Sequence, residues 1–320
     1  MCIRDRCLLF AVYALTASAE PTVIVLSWDG VRYDYPDRAT FPGLARVERA
    51  GVRGALTPVY PSKTFPTHVS MATGAHPDVH GIVDNTFYDT ARAEMFRYES
   101  DANWIRSEPI WIAAERQGVV SATYFWVGSE SDWNGSRSRY RIAPFDEDRA
   151  ESAKVDQILS WLDMPYPERP RLIMSYWSGA DRAGHHSGPE SSAVDDALRS
   201  QDRQLVRLLD GLDQRGLWQD TTLMIVSDHG MVEVHASVDV EAALAAADVD
   251  ARVNGDTVAH VFLDEPEPAM VARAHAIVAA LDHVTVYDRQ SLPTEFRFAA
   301  ADRTGDLVIT TAQPYRIRSS

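Results

Sequence analysis

Three apolar runs, each followed by a carboxylate, constrain this chain more than any other feature. Thr22–Ser27 (TVIVLS) leads to Asp29, Arg171–Tyr176 (RLIMSY) precedes Asp181, and Thr222–Val226 (TLMIV) leads to Asp228 and His229. Uniformly apolar, β-branched runs of this length predict strands covered on both faces. Helical patterns separate them, at Phe41–Ala50, His68–Thr73, Ile110–Gln117, Ala150–Leu162 and Ser191–Arg215. The last carries an apolar stripe of Val194, Leu198, Leu205, Leu208, Leu209 and Leu212, ended by Gly216. A further strand is predicted over Val119–Trp126 and a short extended piece over Ala55–Tyr60. Towards the end, helices are predicted over Val240–Ala247 and Pro268–Leu281, with strands near Arg252 and over Val258–Leu263 and Asp306–Thr311. This alternation predicts an α/β fold, a mostly parallel central sheet with helices on both faces. Ligands of such sheets bind beyond the carboxyl ends of the strands, where Asp29, Asp181 and Asp228 all fall.

Taken singly, each motif admits a plain structural reading. An Asp after a strand serves as a helix cap or turn former, and Asp181 with His185 could be a surface pair at i, i+4. Asp228-His229-Gly230 says more, because a buried strand ending in adjacent ionisable groups must satisfy them. Taken together, oxygen and nitrogen donors of this kind suit zinc-like ions. Lys63-Thr64-Phe65-Pro66 adds a hydroxyl within a stiff turn, and a cation beside it supplies the means to ionise it near neutral pH. Two divalent ions roughly 4 Å apart would clamp an in-line displacement at phosphorus. An amide such as Asn85 could donate to a phosphate oxygen as negative charge grows there.

The segments SWDGVR (27–32), PSKTFPTHVSMATGAHPDVHGIVDN (61–85), YFWVGSE (124–130), DRAGHHSGP (181–189) and SDHGM (227–231) resemble the ectonucleotide pyrophosphatase/phosphodiesterase family, within the alkaline phosphatase superfamily. The resemblance implies an alkaline phosphatase-like fold and a metal-dependent phosphodiesterase or nucleotide pyrophosphatase with a phospho-threonine intermediate on Thr64. It implies that Asp29, Thr64, Asp228 and His229 surround one Zn2+, that Asp181 and His185 hold a second, and that Asn85 contacts phosphate. Phe65 and Tyr176 match positions that line the substrate pocket, where an aromatic face can stack on a base; a core role suits Tyr176 equally.

Three departures from the family pattern stand out. Thr67 replaces a common Asn, and Ser178-Gly179-Ala180 stands where many members carry acidic residues and a proline. The family also completes the site of Asp181 and His185 with a histidine in a late glycine-rich His-Gly segment, which is missing before Ser320. The expected organisation is therefore a catalytic domain over 20–320, incomplete at its C-terminal end. Alternatives are a phosphonate hydrolase or phosphomonoesterase of the same superfamily, or an inactive fragment or binding protein.

A net charge of −15 over 320 residues argues against non-specific grip on a nucleic-acid polymer or an anionic membrane. It leaves small phosphate esters open, since bound cations dominate the local field. Arg4 and Arg6, the apolar run Cys7–Leu15 and the small residues Ala17-Ser18-Ala19 read as a signal peptide over 1–19, too short to span a bilayer comfortably. The opening Met1–Arg6 is unusual enough to admit an assembly artefact. A secreted or periplasmic protein is expected, with no disulfide framework, because Cys2 and Cys7 both precede the cleavage pattern.

Overall fold

The computed structural model describes residues 20–318; the signal-peptide reading of 1–19 lies outside them. β1 (Thr22–Trp28) is followed by α1 (Pro42–Ala50), α2 (Thr64–Thr73) and the short α3 (Pro77–His80). A hairpin of β2 (Thr86–Asp89) and β3 (Glu94–Arg97) precedes α4 (Ile110–Arg116), β4 (Ser121–Tyr124) and β5 (Tyr140–Ile142). Then come α5 (Glu151–Leu162), β6 (Leu172–Trp177), α6 (Gly179–Ser187), α7 (Ser192–Gln214) and β7 (Thr221–Val226). Five of these strands form a parallel sheet in the order β5-β4-β6-β1-β7.

Alternation along β1 shows why this sheet needs helices on both faces. Ile24 and Leu26 pack with Val155 and Ile158 of α5 and Leu205 and Leu209 of α7. Val23 and Val25 point the other way, toward Ala72 of α2 and Trp111 and Ile112 of α4. The expected doubly covered α/β sheet is thus present.

The second half adds an antiparallel sheet that the apolar pattern had only partly signalled. It comprises β8 (Ala236–Val238), α8 (Val240–Ala245), β9 (Ala251–Gly255), β10 (Val258–Leu263), α9 (Pro268–Ala279), β11 (Val284–Asp288), β12 (Leu307–Thr311) and β13 (Tyr315–Ile317). Four strands run in the order β11-β12-β10-β9, with α8 and α9 sharing their core, while β8 and β13 pair separately. A buried guanidinium ties this part to the first. Arg303 donates to Asp89 (2.8 Å) and to the carbonyls of Gly81 (2.7 Å) and Trp104 (2.8 Å).

Two boundaries near the site differ from expectation. The helix expected from His68 begins at Thr64, because Pro66 falls in the first turn, where its missing N–H breaks no helical bond. The strand expected over Val119–Trp126 is cut to β4 because Phe125 turns to φ 59°. Ala55–Tyr60 joins no sheet. The loop over 128–141 packs on the domain, with the Trp133 indole donating to the Ile105 carbonyl at 2.8 Å. Among the described residues no helix is long and apolar enough to cross a membrane.

Candidate metal centre and nucleophile

The carboxyl ends of β1, β6 and β7 bring the predicted acidic residues together. Register places Trp28 of β1 beside Trp177 of β6 and Ser27 beside Val226 of β7, so the three chains leave the sheet side by side. The Asp181 N–H then donates to the Asp29 carbonyl at 3.1 Å. Gly30 makes this approach possible. Its φ is 68°, and a Cβ there would stand 2.9 Å from the Asp181 Cβ.

Asp29 and Asp228 are almost completely buried, and with Asp181 they carry three carboxylate oxygens that no hydrogen bond reaches: Asp29 Oδ1, Asp181 Oδ1 and Asp228 Oδ2. Ligand atoms of Asp29, Asp181 and His229 all lie within 4.8 Å of one another. His229 Nε2 stands 3.4 Å from Asp29 Oδ1 and 3.3 Å from Asp228 Oδ2. Burial, with the negative charges of Asp228 and Asp181, pushes the Asp29 carboxyl well above the usual carboxylate range. Dry, mutually repelling carboxylates with bare lone pairs are costly unless a cation faces them. The donor set therefore fits divalent metal.

The tautomer of His229 suits the same role. Its Nδ1–H donates to the Gly230 carbonyl at 2.9 Å, which leaves the Nε2 lone pair directed into the cluster. Thr64 Oγ1 lies 3.2 Å from that Nε2, at the first residue of α2. Asn85 is held by its oxygen, which accepts the Phe65 N–H at 2.8 Å. Its Nδ2 is thereby the free donor end, now 3.3 Å from the Tyr98 hydroxyl. Phe65 meets Phe96 and Tyr98 edge-on, each at 5.4 Å, and is half-buried beside Thr64.

His185 sits at the rim, its side chain 73% exposed, with Nε2 3.4 Å from Asp181 Oδ1; the closeness of that carboxylate raises its pKa. Asp181 thus lies 3.4 Å from His185 and within 4.8 Å of ligand atoms of Asp29 and His229. Four other histidines are engaged elsewhere. His80 bonds the Ser70 hydroxyl, His260 accepts from the Gly305 N–H, His275 faces Asp288 and His283 stacks on Tyr315.

Tyr176 is buried, and its hydroxyl donates to Asp29 Oδ2, a contact that residue type alone does not reveal. Burial and the Asp29 charge raise the phenol pKa, so it stays a donor. Tyr176→Phe is expected to weaken divalent-metal binding about tenfold by releasing Asp29; competition titration with a chromogenic chelator measures it, and unchanged affinity would count against this role. Two more residues escaped the sequence reading. His68 faces the same side of α2 as Thr64, four residues on. Its Nδ1–H donates to the Thr64 carbonyl and its Nε2 accepts from the Ser27 hydroxyl, both at 2.8 Å. Burial lowers its pKa and keeps it neutral. Lys63 pairs with buried Asp84 (3.2 Å) and with Asp256 (2.5 Å). Burial alone would lower its pKa, but these two carboxylates carry it above the ordinary lysine value.

Comparison with known proteins accords with this geometry. The family model described as type I phosphodiesterase / nucleotide pyrophosphatase matches residues 23–320. An uncharacterized pyrophosphatase/phosphodiesterase of Schizosaccharomyces pombe is 37% identical over 219 residues, 66% of this chain and 45% of that protein. Venom phosphodiesterase 2 of Crotalus adamanteus is 35% identical over 72% of this chain and 30% of its own length. Human ectonucleotide pyrophosphatase/phosphodiesterase family member 1 is 36% identical over 66% of this chain and 24% of its own. The chain thus spans less than half the length of these relatives. Murine ectonucleotide pyrophosphatase/phosphodiesterase 5 superposes with a TM-score of 0.84 at 24% identity, over 93% of this chain and 81% of that one. An inactive form of the same murine protein, solved in complex with AMP, gives 0.83, again at 24% identity, over 93% and 80%. The fold is that of these alkaline phosphatase-like proteins, and the chain belongs to the type I phosphodiesterase / nucleotide pyrophosphatase family.

Proposed function

We propose that this chain is the catalytic part of a metal-dependent phosphodiesterase or nucleotide pyrophosphatase that works through a covalent phospho-threonine on Thr64. The observation that carries the reading is the trio of buried, unbonded carboxylate oxygens beside the Thr64 hydroxyl. Asp29, Thr64, Asp228 and His229 would hold one zinc ion, and Asp181 with His185 would contribute to a second. When bound, these ions supply positive charge at the phosphoryl oxygens and lower the pKa of the threonine hydroxyl.

The chain's own residues do the rest. Thr64 gives its hydroxyl proton to water as its Oγ1 bonds to phosphorus and the ester or pyrophosphate oxygen on the opposite side departs; a water oxygen then loses a proton and bonds to phosphorus, and Thr64 Oγ1 leaves and regains a proton. Asn85 Nδ2, oriented by the bond from Phe65 to its oxygen, donates to a non-bridging oxygen as charge builds. The Asn85→Ala variant is expected to lose about 10²-fold in kcat with a smaller change in KM, as for other donors to a developing oxyanion. A KM rise at constant kcat would instead mark Asn85 as a ground-state contact. Phe65 offers an aromatic face for a base, and AMP in the murine relative's structure supports a nucleotide-like substrate.

The deciding experiment compares thymidine 5′-p-nitrophenyl phosphate, p-nitrophenyl phosphate and a phosphonate ester on the full-length protein. Preference for the nucleotide diester supports the reading, and preference for the monoester overturns it. Venom and ecto-enzyme relatives, together with residues 1–19, support export. The N-terminus of the exported protein, read by mass spectrometry, tests cleavage near residue 19.

A further inference from the structure

A basic cleft of about 480 Å³ opens around the segment that enters and leaves β5. It is lined by Arg137, Arg139 and Arg141, with Ser100, Glu130 and Pro144. The three arginines stand at alternate positions on the segment that runs into β5, and all three line the cleft. The residues between them bond back to the domain. The Ser138 hydroxyl bonds Thr123 at 2.8 Å, and the Tyr140 hydroxyl donates to the Glu168 carbonyl at 3.0 Å.

The acidic groups nearby are largely committed. Glu130 accepts the Phe145 N–H at 3.2 Å, and Asp132 pairs with Arg141 at 2.7 Å. Glu115 Oε1 accepts from the Ser121 N–H, the Ser121 hydroxyl and the Arg139 N–H. The Arg139 guanidinium forms only a loose ion pair with that carboxylate, at 3.7 Å, and Arg137 makes no ion pair among the described residues. Two guanidinium forks therefore face a cleft on a protein of net charge −15.

Both walls of the cleft lead to the centre. Ser100 follows closely on Tyr98, whose ring meets Phe65 and whose hydroxyl accepts from Asn85. Pro144 runs into Phe145, whose ring meets Tyr176 at 5.5 Å. Phe65, Tyr98, Phe145 and Tyr176 thus link both walls of the cleft to the centre.

We propose that this cleft is a second anion subsite, which holds a phosphate carried by the retained nucleoside of the substrate, beyond these aromatic rings from the scissile phosphorus. It rests on the diesterase reading above. Paired planar guanidinium groups match phosphate oxygens better than any other anion-binding side chain.

Thymidine 5′-p-nitrophenyl phosphate and its 3′-phosphorylated form are the probes. The full-length protein is expected to show a KM about tenfold lower for the 3′-phosphorylated ester, the gain of one charge-assisted contact. The gap should narrow at high salt, where exposed charges are screened. Arg137→Ala combined with Arg139→Ala should erase the preference, and the matching double lysine variant should restore part of it. Equal KM values in the unaltered protein, or a preference that survives the double alanine variant, would overturn the proposal. Calorimetric binding of thymidine 3′,5′-bisphosphate against thymidine 5′-monophosphate reads the cleft independently of turnover. Tighter bisphosphate binding without cleavage of either ester would support the subsite and sink the diesterase reading; turnover of both esters without discrimination would do the reverse.

Discussion

Thr64→Ala is expected to lower kcat/KM on a chromogenic nucleotide diester by about 10⁴-fold, equivalent to ~5.5 kcal/mol of transition-state stabilisation. The loss is large because the variant removes the atom that bonds to phosphorus, the hydroxyl that meets His229 Nε2. Its effect on folding should be small. The Thr64 side chain is half-buried, and its hydroxyl makes one 3.2 Å contact, so a shift of no more than a few degrees in Tm is expected. Thr64→Ser should keep part of the activity. Acid-quenched protein incubated with a labelled substrate should carry phosphate on the peptide containing Thr64. Label on another residue, or turnover retained in the alanine variant, would refute the nucleophile assignment.

Removing divalent metal is the second large perturbation. Chelation should abolish turnover, and zinc should restore it. It should also lower Tm, because a ligand present at a hundred times its Kd contributes about 2.7 kcal/mol to the folded state. The pH dependence has a definite sign. Because burial and like charges raise the folded-state pKa of Asp29, the metal-free native protein binds that proton more tightly than the unfolded chain does. Metal-free stability from this group therefore grows as pH falls from neutral toward the ordinary carboxylate range. The zinc-loaded form moves the other way, since protons compete for the same oxygens. The difference in Tm between loaded and metal-free protein should shrink from pH 8 to pH 5. A constant difference across that range would show that these carboxylates do not bear the metal.

The strands that carry the site were legible because each is buried on both faces and so reads as an unbroken apolar run. Thr22–Trp28, Leu172–Trp177 and Thr221–Val226 fall within a residue of their expected bounds. Their parallel register delivers Asp29, Asp181 and Asp228 to one place. The hairpin of Thr86–Asp89 with Glu94–Arg97 was not legible. Four-residue strands carry too little periodicity, and this pair is held by Arg303, more than 200 residues away in sequence. The roles of Tyr176 and His68 were hidden for a related reason. An aromatic residue in an apolar strand looks like core until its hydroxyl is seen against Asp29. A histidine on a helix gives no sign that its two nitrogens join Ser27 to Thr64.

Lys63 has a further consequence. It immediately precedes the nucleophile, and its ammonium reaches Asp256 in the tight turn between β9 and β10, where Gly255 takes φ 110°. One side-chain clasp thus fastens the start of α2 to the antiparallel sheet. Loosening that sheet by heat, denaturant or a protease cut in the turn would slacken the backbone that presents Thr64. Catalytic output becomes a gauge of whether the two halves of the molecule remain latched, and it should fade before the parallel core itself gives way.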